Sequence, residues 1–148
     1  VGQRESMALA MDCATLNGFL DRVFPQISGQ IRVESVDAQV LIARLLVDEQ
    51  HLRPGGTVSG PAMFALADVT IYLAILSRIG EVALAVTTNA SIDFMRKPEA
   101  GRDLLAECRI LKLGRVLAVG DVLIRSDGMD QPVARCSMTY SIPPGAKG

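Results

Sequence analysis

From Pro61 to Leu76 the chain is apolar on nearly every side, a run that reads Pro-Ala-Met-Phe-Ala-Leu-Ala-Asp-Val-Thr-Ile-Tyr-Leu-Ala-Ile-Leu and is broken at its centre by one acid, Asp68. A helix without a polar face is satisfied only when it is surrounded. The run is shorter than the roughly 20 residues that span a bilayer and carries a carboxylate mid-way, so it reads as a core helix. The rest of the chain must wrap it.

Asp68 is the leading functional residue. With a helix starting near Gly60, it shares a face with Phe64, Ala65, Tyr72 and Ile75, which lie three, four and seven positions away. No Lys, Arg or His falls within a turn of it. Burying a carboxylate without a partner costs several kcal/mol. The acid is therefore wet, used by a substrate, or tied to another segment at the helix's solvent edge.

The 148 residues fit a single domain, and 49% hydrophobic, 21% charged residues and a net charge of -1 describe a globular chain rather than a disordered one. With no basic stripe and no Trp, nucleic acid is not an expected partner. Cys13, Cys108 and Cys136 are odd in number, lack a C-x-x-C spacing and have only His51 to join them, so neither a metal site nor a disulfide framework is expected. A reducing cytoplasm suits that usage. No secretory signal is readable because Asp12 interrupts the short apolar stretch before it, and Met7 as an internal start would make residues 1–6 structurally unimportant.

Periodicity supplies the remaining elements. Residues 8–23 carry apolar positions at helical spacing up to Pro25, and strand-type sequence follows at 31–36 and at 40–47, the latter expected to be buried on both faces. Beyond the stop at Gly80 come four strands: 87–94, 103–110, 116–124 and 133–142. Hairpin-linked strands are antiparallel, so the expected class is α+β, one antiparallel sheet wrapped around one long buried central helix.

Two blocks carry a resemblance, Arg53 through Asp68 and the stretch Thr87-Thr88-Asn89-Ala90-Ser91-Ile92-Asp93-Phe94-Met95-Arg96-Lys97-Pro98. In this order about a buried helix they resemble the hotdog-fold acyl-CoA thioesterases of the phenylacetate-degradation type. In such proteins the turn before the helix usually reads His-Gly-Gly, with an Asp or Glu two helical turns later. Here the turn is Ser59-Gly60-Pro61, Asp68 holds the acid's place, and Arg53 stands where many relatives carry an Asn.

The resemblance implies an acyl-CoA thioesterase. The Gly60 N–H at the helix start would polarise the thioester carbonyl, and Asp68 would act as general base or as nucleophile. A hydroxyl from Thr87 or Thr88, contributed by a partner subunit, would place the water; strand alternation favours Thr87, on the polar face with Asn89. Arg53, Arg96 and Lys97 are candidates for the phosphates of CoA. Ser59 caps the helix, Pro61 fits its first turn, and Phe64, with Met63 and Leu66, is a candidate wall of the acyl pocket. No cofactor is implied beyond the CoA of the substrate, and a homodimer or a dimer of dimers with an interfacial site is expected.

Two other functions fit the same residues. A hydratase or dehydratase acting on thioesters needs a histidine beside the acid, and the only one, His51, lies nine positions before Gly60. A non-catalytic acyl-CoA-binding module would tolerate replacement of Asp68.

Overall fold

A computed structural model describes residues 9–144. Helix α1 (Cys13–Val23) and a short α2 (Pro25–Ser28) precede strands β1 (Ile31–Val36) and β2 (Leu41–Leu45); helix α3 (Gly60–Ile79) follows, and then β3 (Val86–Phe94), β4 (Leu104–Leu113), β5 (Leu117–Ser126) and β6 (Pro132–Ser141). One six-stranded sheet runs β1-β2-β4-β5-β6-β3, and every neighbouring pair is antiparallel. The sheet curves around α3, which touches all six strands. This is the hotdog fold.

Local chemistry sets the ends of α3. Ser59 is extended and its Oγ accepts the Ala62 N–H at 3.3 Å, while Gly80, with φ +92°, closes the other end in a conformation that side chains resist. The twenty-residue helix is long and apolar enough to pass for a membrane span, yet its residues from Val69 to Ser77 are all buried in the sheet. Helix α1 covers the open side with Leu16, Phe19 and Leu20, each fully buried.

Three expectations change. Helix α1 begins at Cys13 rather than at residue 8 because Asp12 caps it, accepting the Thr15 N–H at 2.9 Å; residues 9–12 are not helical, and residue 8 lies outside the described residues. Helix α1 ends at Val23, before Pro25 as expected, but Pro25 itself opens a further short helix, α2, where its missing N–H has no cost. Strand β2 is not buried on both faces: Leu41, Ala43 and Leu45 point inward, whereas Arg44 points outward and binds Glu34 at 2.9 Å, Asp103 at 3.1 Å and Asp127 at 2.9 Å. Among the described residues no layer packs on that side, so alternation wins. Residues 1–6 fall outside the described part.

The core carries a pH dependence. Burial pushes the Cys108 thiol up to about 12 and that of Cys136 up to about 11, from an ordinary value of 9.0. Above pH 9 the unfolded chain therefore gives up protons that the folded chain keeps. This part of the stability is complete below that pH and is lost as pH rises toward the folded values. Melting temperature is expected to fall between pH 8.5 and about 10.5, and Cys108→Ala to flatten the slope. An equally steep slope in that variant would rule out the assigned cause.

Candidate functional site

Asp68 is on the stripe of α3 that faces the junction of β3 and β6, and it is partly buried. The Thr87 hydroxyl donates to its Oδ1 at 2.5 Å. The Tyr140 hydroxyl sits 2.6 Å from the same Oδ1 and 2.9 Å from the Asp68 carbonyl oxygen. Oδ2 has no protein partner among the described residues, and neither carboxylate oxygen is in an ion pair there. One oxygen is held and the other is available.

The phenol keeps its proton because of its surroundings. Burial first, and then the charge of Asp68, push the Tyr140 phenol above its ordinary value, so it remains a donor at any working pH. A bulge between Thr87 and Asn89 decides which threonine takes part. Thr87 pairs in register with Tyr140 and turns inward, Asn89 pairs with Thr139 and turns outward, and the Thr88 hydroxyl donates to the Thr139 carbonyl at 3.3 Å. Thr87 and Asn89 are therefore not on one face, as unbroken alternation requires.

An apolar cavity of about 360 Å3 opens beside the carboxylate, walled by Phe24, Val69, Tyr72, Ala85 and Val86. Met63 and Leu66, expected in that wall, are 4% and 0% exposed and belong to the core, because they project from the other side of α3. Phe64 is on the Asp68 side but is 38% exposed and does not line the cavity. A larger hollow of about 620 Å3 lies on the sheet's outer face, where its Asp93–Arg135 and Glu107–Arg109 charges pair with each other at 2.8 Å. It contains neither Asp68 nor Gly60.

At the start of α3 the Ala62 N–H goes to Ser59 Oγ and the Met63 N–H to the Ser59 carbonyl, and Pro61 has none to give. The Gly60 N–H has no acceptor among the described residues. A Cβ at Gly60 would lie 3.3 Å from the Phe94 ring, a tight contact that a side chain here would relieve only by shifting that ring. His51 is buried rather than loose: its Nδ1 accepts the Asp48 N–H at 2.8 Å, its Nε2 is 2.9 Å from Gln30 Oε1, and its carbonyl accepts the Ser59 N–H at 2.8 Å. It steadies the turn that leads into α3.

Asp68 and Gly60 do not meet within one chain. Eight residues of helix separate them, about 12 Å at a rise of ~1.5 Å per residue. The threonine and the acid, in contrast, were expected from different subunits and are joined inside one. Arg53 lies exposed in the Gly55–Gly56 turn, Lys97 is exposed, and the Arg96 guanidinium donates to the Pro132 carbonyl at 2.8 Å. None of these three reaches the cavity, nor does exposed Pro61.

Tyr140 was missing from the sequence-derived site. Its signal was present: a tyrosine on the inward face of a core strand needs a partner for its hydroxyl. Tyr140→Phe is expected to lower turnover about tenfold, since it removes one of the two donors holding Oδ1, and to cost about 1 kcal/mol of stability. Unchanged turnover in a properly folded variant would leave the phenol only a packing role.

Against known proteins, the family model described as Thioesterase superfamily matches residues 55–133. A solved structure of a candidate thioesterase from a Silicibacter species is 60% identical, covers 94% of this chain and 96% of its own, and superposes with a TM-score of 0.88. A candidate esterase of Pseudomonas aeruginosa is 31% identical over 108 residues, 72% of this chain and 79% of that protein. Human acyl-coenzyme A thioesterase 13 is 25% identical over 114 residues, 77% of this chain and 81% of that protein.

Proposed function

We propose that the chain, which belongs to the thioesterase superfamily and is a thioester hydrolase, acts on acyl-CoA and releases free CoA and a carboxylic acid. The observation that carries this reading is a carboxylate with one oxygen fixed by two hydroxyls and the other without a partner among the described residues, beside an apolar cavity. Asp68 Oδ2 takes a proton from a water as that water's oxygen bonds to the thioester carbon. The carbonyl oxygen becomes an oxyanion, which a Gly60 N–H receives with the help of the positive end of α3. As the C–S bond breaks, the proton passes from Asp68 to the departing sulfur. Thr87 and Tyr140 keep the carboxylate in position without reacting.

The separation of Asp68 from Gly60 along α3 requires two copies, so that the acid of one faces the amide of the other. The surface supports such a pairing. Strand β3 is an edge strand with unpaired backbone groups, and near it Val86 is 56% exposed, Phe94 52%, Met95 43% and Phe64 38%. A second copy docked along this edge hides the apolar residues and completes two sites at once. A dimer is the smallest competent unit, and a dimer of dimers is compatible with it. Arg53, Lys97 and, beyond its present bond, Arg96 are available to the CoA phosphates. Three free thiols suit a reducing cytoplasm.

His51 argues against a hydratase, because both its ring nitrogens are engaged and it is buried before α3 rather than beside Asp68. The test offers purified protein a panel of acyl-CoAs with a thiol reagent, and separately an enoyl-CoA. Thiol release from the first, with no hydration of the second, is expected. Hydration without thiol release would replace the proposal with the hydratase.

A further inference from the structure

The cavity beside Asp68 has polar groups at one end alone. Asp68, Thr87 and Tyr140 bond one another there, and the remaining walls include Val23, Phe24, Val69, Ala83, Ala85 and Val86. Tyr72 also lines it, but its hydroxyl is occupied, donating to the Ala83 carbonyl at 3.0 Å. Its ring meets that of Phe24 edge to face, with centroids 6.3 Å apart. Among the described residues no Arg, Lys or His lines the space. A charged or hydroxylated end on a substrate would lose its water there and find no partner.

Size narrows the class further. A water molecule's share of liquid is about 30 Å3, so the part of the site that one copy contributes, about 360 Å3 and open on the side where the second copy docks, holds at most about twelve water-sized heavy atoms. From this lining and volume we infer that the acyl group is an uncharged apolar chain of about six to ten carbons, straight or carrying a ring, and that Ala83 and Phe24 set its length. This inference rests on the hydrolase reading above. Ala83 is exposed at the rim, so a larger side chain there takes up acyl space without disturbing the core. Phe24 is half-buried at the end of α1, and its truncation lengthens the space.

The experiment measures kcat/KM for butyryl-, hexanoyl-, octanoyl-, decanoyl-, palmitoyl-, phenylacetyl- and glutaryl-CoA with the parent, Ala83→Leu and Phe24→Ala. The parent is expected to peak between hexanoyl and decanoyl, to accept phenylacetyl, and to process glutaryl-CoA at least about tenfold more slowly. Ala83→Leu lowers the octanoyl-to-butyryl ratio about tenfold, and Phe24→Ala moves the optimum to longer chains. Ratios that do not move in Ala83→Leu, which retains its fold, overturn the length assignment. Efficient hydrolysis of glutaryl- or palmitoyl-CoA by the parent overturns the class. No thiol release from any member of the panel overturns the hydrolase reading itself, an outcome distinct from hydrolysis with an unshifted profile.

Discussion

Asp68→Asn is expected to reduce CoA release by about 10²- to 10⁴-fold, the range that loss of a positioned general base produces. The substitution is the gentlest available. An asparagine placed with its carbonyl oxygen where Oδ1 stands still accepts from Thr87 and Tyr140, so the polar cluster and the packing of α3 survive. What disappears is the ability to take a proton at the other position, now an amide. The melting temperature should stay within a few degrees of the parent and acyl-CoA should still bind, with the loss confined to kcat. Measuring binding and turnover together separates three possibilities. Intact binding with lost turnover supports the base; unaltered turnover removes Asp68 from the chemistry; binding with no turnover in either protein describes a module that only holds its ligand.

The second large effect appears on mixing. Gly60→Pro removes the N–H that α3 offers at its start, and alone it should cost about 10²- to 10³-fold, as loss of one oxyanion donor does. When Gly60→Pro and Asp68→Asn chains are unfolded together and refolded as a mixture, half of the dimers carry one chain of each kind. In such a dimer one site combines both defects, and the other combines an intact Asp68 with an intact Gly60. Activity should return to about a quarter of the parent's, although each variant is nearly inactive by itself. A mixture no more active than its components would mean that each chain works alone, which the ~12 Å between the two groups along α3 makes untenable for this mechanism. Light scattering on the same samples reports whether the chains associate.

Alternation and caps made much of the architecture legible. The inward residues of β6, Ala134, Cys136, Met138 and Tyr140, alternate in sequence as they do in space, and Ser59 and Gly80 bound α3 where their chemistry places them. Asp68 stood out because an acid in an apolar helix needs a reason. Thr87 was favoured on a premise that the fold corrects: it was grouped with Asn89, yet the bulge at Thr88 turns the two apart. A bulge leaves no reliable mark on periodicity, because one added residue in a short polar stretch looks like any other. Strand β2 misled for the opposite reason. Its apolar run said nothing about whether a second layer would cover it, and among the described residues none does.

The sequence by itself determined that a helix apolar all round had to be enclosed by antiparallel strands, and that one acid within it had to be accounted for. Both follow from the cost of exposing hydrocarbon and of burying charge, which depend on residue type and spacing. Only the tertiary structure decided what the acid touches: Tyr140 lies 72 positions away in the chain, yet its hydroxyl is 2.6 Å from Oδ1. The ~12 Å that keeps Gly60 and Asp68 from acting on one carbon within one chain, by contrast, follows from the helix that the sequence already outlines. A rigid helix fixes that distance, while contact between distant strands is set by register and packing, which no local pattern encodes.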